Sequence, residues 1–352
     1  MGARLLSLTL GLELRPMDSL HLLMAKLQAL GVLLTSPGSA FSVYSLTAAF
    51  AIGFVALALR HKRRRGSAGL AVVARAIFSW RLLKSPSTKA DLFYFFVNTL
   101  ALGGLIGWGL LSGEIVAERV RKSLDAVFGV AAPASPDFWG LRIGATLALF
   151  LAYEFGYWLD HFLKHKVPAL WELHKTHHTA EVLTPLTAFR VHPLDTLLFM
   201  NMLSVCIGAT MGLITHFAGA KVTEISISGT NFFLVLFIYA TVQLQHSQFW
   251  IAFTGIWGRL LLSPAHHQIH HSVEPKHYNA NLGSTIAIFD WMFGTLNTPG
   301  KANPRLRFGV IDGVEKPHAM AELLLAPLGH CFARLRQAVG LRWPPRPALT
   351  QK

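Results

Sequence analysis

LDHFLKHKVPALWELHKTHH, residues 159–178, sets His161 and His165 four positions apart, then His174, His177 and His178 three and four apart. Residues at those separations share one face of a helix, so each cluster aims its imidazoles at a common point. SPAHHQIHHS, residues 263–272, repeats the arrangement with His267, His270 and His271. A lone histidine in such a setting reads as a hydrogen-bonded interfacial side chain. Three clusters of matched spacing in one chain do not. Imidazole is the commonest neutral ligand for iron, zinc and copper, and eight converging rings exceed what one ion needs. The count predicts a two-metal site.

The surrounding composition says where such a site sits. Of 352 residues, 52% are apolar and only 14% charged, against about 25% charged in an ordinary soluble domain. That deficit predicts an integral membrane protein. The formal charge of +14 lies beside apolar segments, as expected of basic residues answering anionic lipid headgroups. No basic stripe interleaved with aromatics is present, so nucleic acid is not an expected partner. Cys206 and Cys331 each lack a cysteine neighbour, which disfavours disulfide frameworks, zinc ribbons and iron–sulfur clusters.

Windows of about 20 apolar residues mark spanning helices. They fall at residues 40–59, 92–113, 138–159, 194–215 and 230–253. The last two are split by a polar stretch around Lys221 to Gly229 where a hairpin or re-entrant pair is an option. The third runs straight into the first histidine cluster. RHKRRR, residues 60–65, places the end of the first span in the cytoplasm, and counting onward brings all three clusters to that face. The expected fold is therefore an all-α integral membrane protein with four to five transmembrane helices and a cytoplasmic helical cap holding the di-metal site. Residues 1–39 form an N-terminal segment with an interfacial helix, without the cleavage site of a removable signal peptide. Residues 40–253 form the membrane region with the first two clusters, residues 254–300 the cap with the third, and residues 301–352 a basic tail.

The donor set narrows the chemistry. No cysteine accompanies the histidine clusters, which disfavours soft metals. A zinc hydrolase motif of the HExxH type is missing, since Glu172 precedes His174 in the wrong order. Structural zinc closes with four ligands. Two iron ions with open positions for dioxygen fit the count best, and zinc is a substitute to expect in purified protein. A membrane zinc-dependent lipid hydrolase and a non-catalytic metal-binding or transport protein stand as alternatives. A transporter, though, would place its ligands at mid-membrane.

These motifs together resemble the fatty acid hydroxylase / sterol desaturase superfamily of membrane di-iron, histidine-box enzymes. Beyond HxxxH, HxxHH and HxxHH, the likeness includes TAFRVHPLD (Thr187 to Asp195), NANLG after the third box, and DWMFGT beginning at Asp290. It covers about residues 90–300. The resemblance implies His161, His165, His174, His177, His178, His267, His270 and His271 as metal ligands, with His246 as an additional one. His192, His277, Asn281, Asp160 and Asp290 are candidates for an extra ligand or for hydrogen-bonding the ligands. His192 reads equally as a packing position before Pro193, and Asn281 as a turn former before Gly283. His266 should point away from the metals, His216 should be structural, and His318 and His330 should lie without partners. The sequence departs from the family at Phe162, where arginine is usual, at Phe289, where tryptophan is usual, and around Gln243, where some members carry a second histidine.

The implied activity is oxygen-dependent hydroxylation or desaturation of an unactivated C–H bond in a sterol-like or fatty-acyl lipid. No nicotinamide or flavin motif is present; GGLIGWG is a glycine pattern within a membrane window. Electrons should come from a separate redox protein. The absence of an organelle signal suggests a bacterial inner membrane with the active site facing the cytoplasm.

Overall fold

A computed structural model describes residues 19–65, 80–101, 111–135, 138–311, 314 and 316–340. Its frame is an antiparallel helix pair. Helices α1 (Ser19–Thr35), α2 (Val43–Arg65), α3 (Pro86–Phe96) and α4 (Gly113–Phe128) precede α5 (Trp139–Lys166). At about 1.5 Å per residue the 28 residues of α5 run about 42 Å. The sequence ends it sharply. Val167 precedes a proline, which disfavours helical backbone, and it takes an extended conformation at φ −96°, ψ 113°. Pro168 then starts α6 (Pro168–His178) at a position where its missing N–H costs nothing. This corner folds the second histidine cluster back onto the first.

Helix α7 (Pro193–Ala218) runs away from the site alongside α5, with Gly156 against Leu203 and Cys206 near one end and Ala145 against Ala218 near the other. Helix α4 packs closely along α7 because Gly208 and Gly212 carry no side chain: a Cβ at either would lie 2.5 Å from the carbonyl oxygen of Gly113 or Ala117. Two helical segments among the described residues, Val43–Lys62 and Pro193–Ala218, are long and apolar enough to cross a membrane. Large apolar side chains on α2, α5 and α7 face outward, among them Val55, Leu59, Ile143, Leu147, Leu198 and Phe217. Such a face is unfavourable in water and suits lipid. Much of the 92–113 window, including Trp108 and GGLIGWG, and the last prolines lie outside the described residues.

The polar stretch between the last two windows is a two-stranded antiparallel hairpin, β1 (Ser226–Ile227) with β2 (Thr230–Asn231), a small departure from the all-α expectation. The window at 230–253 is not one helix. It breaks into α8 (Phe232–Phe237), a π-helical turn at Ile238–Val242 and one turn at Gln243–Gln245. Gln243 and Gln245 are polar and turned inward, and the chain leaves the helix at His246. Cap helices α9 (Gly255–Leu260), α10 (Pro264–His270) and α11 (Ile288–Met292) follow.

The segment read as a tail carries a further helix, α12 (Met320–Ala338), docked on α6. Pro327 lies inside it, and an internal proline reads in sequence as a break. The docking gives partners to both histidines expected to have none. His318 sits 3.0 Å from Arg190 and 3.3 Å from Glu181, and His330 lies 3.7 Å from Glu172.

Candidate di-metal centre

The three clusters meet at one end of the α5–α7 pair. Helix α5 brings His161 and His165; α6 brings His174, His177 and His178; α10 brings His267, His270 and His271; and the broken helix delivers His246. They sort into two groups: His161, His165, His174, His178 and His270 in one, and His177, His246, His267 and His271 in the other. Within each group the ring nitrogens lie within 4.8 Å of one another. All nine histidines expected as ligands are thus gathered, and among the described residues no other acidic, thiol or imidazole side chain joins either group.

The nitrogens fit metal ions. In the group of five, Nε2 of every ring is buried without a hydrogen-bond partner, a condition rare enough in native interiors to need a cause. In the group of four, Nε2 of His246 lies 3.2 Å from that of His177 and 2.9 Å from that of His267, while Nε2 of His271 lies 3.1 Å from that of His267. Four lone-pair nitrogens facing one point form the donor set a cation takes. Burial favours the neutral ring: His178, His267 and His271 are held well below the ordinary histidine range, and burial, with His174 nearby, brings His270 down to about 3.

What fixes the rings is mostly backbone. Nδ1 of His161 meets the carbonyl of Leu282 at 2.8 Å, and Nδ1 of His270 that of Ala280 at 2.9 Å. Nδ1 of His174 meets the carboxylate of Asp195 at 2.9 Å. Such partners set tautomer and ring orientation at metal sites. The loop at 280–283 is pinned in turn. Asn281, in left-handed backbone at φ 57°, donates to the carbonyls of His266 and Asn297 at 2.9 Å each and accepts from Asn297 N at 2.7 Å. Asp290 accepts from Leu282 N and Gly283 N, both at 2.8 Å, and from Thr295 Oγ1 at 2.5 Å. Glu154 on α5 holds the next residues, accepting from Thr285 N, Thr285 Oγ1 and Ile286 N at 2.9, 2.7 and 3.0 Å.

The candidates for an extra ligand or for supporting the ligands stand outside both groups, Asn281 and His192 in the turn-forming and packing places the sequence also allowed. Asp290 holds backbone amides rather than an imidazole, and Asn281 shapes the loop. Asp160 pairs with Lys164 at 2.5 Å and touches no imidazole through a hydrogen bond. His192 caps α7, its Nδ1 accepting from Leu194 N at 3.2 Å, while its Nε2 lies 3.1 Å from the Leu324 carbonyl. His277 is buried but belongs to neither group. His266 points away as expected: its Nδ1 closes the start of α10 on Ser263 and its Nε2 lies 3.0 Å from the Gly258 carbonyl. His216, expected to be structural, pairs with Asp125 at 2.7 Å. Phe162 stacks on Trp158 with centroids 5.0 Å apart, and Phe289 packs against Phe155 and Trp158.

Sequence reasoning missed Asp195. The signal was there, since a carboxylate opening an apolar span is costly and so tends to be functional. It also passed over the fully buried Arg190, which joins Asp91 at 3.1 Å to the carbonyl of Pro317 at 2.5 Å and so ties α3 to the segment leading into α12.

Two cavities reach the histidines. One, of about 400 Å³, is walled by α5, α7 and the broken helix and touches His161, His174, His177 and His246. Its walls are largely apolar, with Phe199, Met200, Leu234, Ile238 and Val242 prominent. The other, of about 370 Å³, lies against His165, His178, His270 and His271 and is bounded by Trp171, Lys175, Ser272 and Arg334. No residue lines both.

Comparison with known proteins agrees with this geometry. The family model for fatty acid hydroxylases matches residues 146–295. An ornithine lipid hydroxylase of Rhizobium tropici is 28% identical over 53% of this chain and 54% of its own length. An alkylglycerol monooxygenase of Xenopus tropicalis is 27% identical over 56% of this chain and 37% of its own, and its human counterpart 26% identical over 52% and 36%. The chain thus matches about half the length of the first and little more than a third of the others. No solved structure matches it.

Proposed function

Since residues 146–295 match the family model for fatty acid hydroxylases, we propose that the chain is a membrane-bound, oxygen-dependent di-iron lipid hydroxylase. The observation that carries the reading is the gathering of nine imidazoles into groups of five and four at the inner end of an apolar cavity. Hydroxylation is favoured over desaturation because the relatives are a hydroxylase and monooxygenases. The substrate is a lipid, taken from the bilayer between α7 and the broken helix. The active site faces the cytoplasm, and the membrane is a bacterial inner membrane.

His161, His165, His174, His178 and His270 would hold one iron, and His177, His246, His267 and His271 the other. When bound, the iron pair supplies the activation of dioxygen that an unactivated C–H bond demands. The net reaction consumes one dioxygen, two electrons and two protons, and returns a hydroxylated carbon and one water. The electrons come from a separate redox protein. The chain's own residues do the rest. Apolar side chains of α7 and the broken helix align the lipid and exclude water. Asp195 and the carbonyls of Leu282 and Ala280 hold ring nitrogens in the tautomer that leaves Nε2 free to ligate. The pinned loop keeps that geometry rigid.

Metal analysis of detergent-purified protein expressed with iron tests the reading, beside the His177→Ala, His270→Ala double variant. About two irons per chain, lost in the variant, and an oxygen-18 label from dioxygen in a lipid product are expected. Two zincs with no iron under iron-rich anaerobic preparation would overturn it.

A further inference from the structure

The apolar cavity carries a small polar inventory: its ammonium and amide donors are already engaged, and the hydroxyls of Tyr153, Tyr157, Thr196 and Ser284 can each donate or accept. Lys164 lies between the two histidines of the first box and is almost fully buried. Its ammonium has three N–H bonds and three acceptors: Asp160 Oδ2 at 2.5 Å, the backbone carbonyl of Asp195 at 3.1 Å, and the Asp195 carboxylate. Gln243 Nε2 donates to the Ala40 carbonyl, and Gln245 Nε2 to that of Ser284 at 2.6 Å. His161 and His174 spend Nδ1 on Leu282 and Asp195.

The acceptors are left over. Among the described residues, the second carboxylate oxygen of Asp160 and the amide oxygens of Gln243 and Gln245 accept no hydrogen bond from the protein. All three side chains line the cavity, and their residues are only 5%, 3% and 4% exposed. They are also absent from the buried atoms sealed from contact, so each oxygen is open to whatever fills the space. An acceptor left unpaired on desolvation is unfavourable, more so if charged. A lipid bearing only ester or ether oxygens could take a hydrogen bond from the lining hydroxyls but would bring no donor to these three oxygens. One bearing N–H or O–H groups would satisfy them.

Resting on the lipid-oxidising reading above, we infer that this cavity selects lipids whose polar end donates hydrogen bonds, an ammonium or a hydroxyl, with Asp160 as the principal acceptor and Gln243 and Gln245 beside it. Asp160 is here a specificity residue at the substrate, held in place by Lys164.

The test uses full-length, iron-loaded protein in phosphatidylcholine nanodiscs, whose bulk headgroups offer no N–H or O–H donor. Saturation binding is measured for three radiolabelled sixteen-carbon probes: hexadecylamine, hexadecanol and hexadecyl methyl ether. Amine and alcohol should bind at least about tenfold more tightly than the ether, as one satisfied buried acceptor implies. Whichever of the two binds more tightly names the donor type. Asp160→Asn should shrink the gap, most for the amine, while iron content stays unchanged. If that variant fails to fold, the ranking on the unaltered protein decides alone. Equal binding of all three, or an unchanged ranking in a folded Asp160→Asn protein, overturns the headgroup inference only. No saturable binding by any probe removes the lipid reading of the cavity and this inference with it.

Discussion

Asp195→Asn isolates the charge behind one imidazole. The change keeps the shape of the side chain and one oxygen to accept from His174 Nδ1, now 2.9 Å away, but removes the negative charge. Carboxylates supporting metal-bound histidines contribute about 10–100-fold to metal affinity, or about 1.4–2.7 kcal/mol. A second effect opposes clean interpretation. Asp195 also faces the buried Lys164, whose side chain is 5% exposed, and stripping one partner from a buried ion pair costs about 3–5 kcal/mol. Asp160 still pairs that ammonium at 2.5 Å, so the loss of fold stability should fall at or below the low end. The two effects separate in the Asp195→Asn, Lys164→Met double variant, where stability recovers but affinity does not. Chelator competition followed by metal counting is the assay. The single variant should lose the metal of the five-histidine group first, passing through about one metal per chain, while the four-histidine group keeps its own. Two metals held with unaltered affinity in Asp195→Asn would refute the argument that this carboxylate orients and strengthens a ligand.

The neighbours His266 and His267 should behave oppositely. His266→Ala loses the contacts that close the start of α10 and costs about 1 kcal/mol in melting with metal content intact, whereas His267→Ala loses metal. Gly208→Ala sets a methyl 2.5 Å from the Gly113 carbonyl and should destabilise the α4–α7 packing by about 1–3 kcal/mol, seen as a lower melting temperature with unchanged metal stoichiometry in the surviving fold. Asp290→Asn turns an acceptor of three donors into a mixed group, loosening the carbonyls that hold His161 and His270. Metal release to a chelator should quicken several-fold, and an unchanged rate would show that the loop needs no such pin. Glu172→Gln weakens its contacts to Lys175 at 2.7 Å and Arg334 at 3.1 Å, and proteolysis should then cut α12 sooner.

The clustered histidines were legible because helical periodicity is local: three- and four-residue spacings put rings on a face whatever the rest of the chain does. The inference that three such faces meet needed only the spans between them to bring each back to one end, and α5 and α7 do that. The supporting contacts were not legible. Asp195 reaches His174 across 21 positions and Leu282 reaches His161 across 121, distances over which a sequence offers no register. Asp160 looked the better carboxylate from its position beside the box, yet on α5 it stands four residues before Lys164 and pairs there. The broken fifth window escaped notice for a related reason. Mean apolarity ignores where the helix must stop, and it stops at His246 because that ring has to turn inward.

The two cavities that share no wall residue give the centre a consequence of its own. The nine rings form a partition with oil on one side and a wetter, basic-rimmed vestibule on the other. Under the proposed function, a greasy chain would be seated and altered on one side while hydrated reactants reach the rings from the other, so neither traffic would have to wait for the protein to open and close between turnovers.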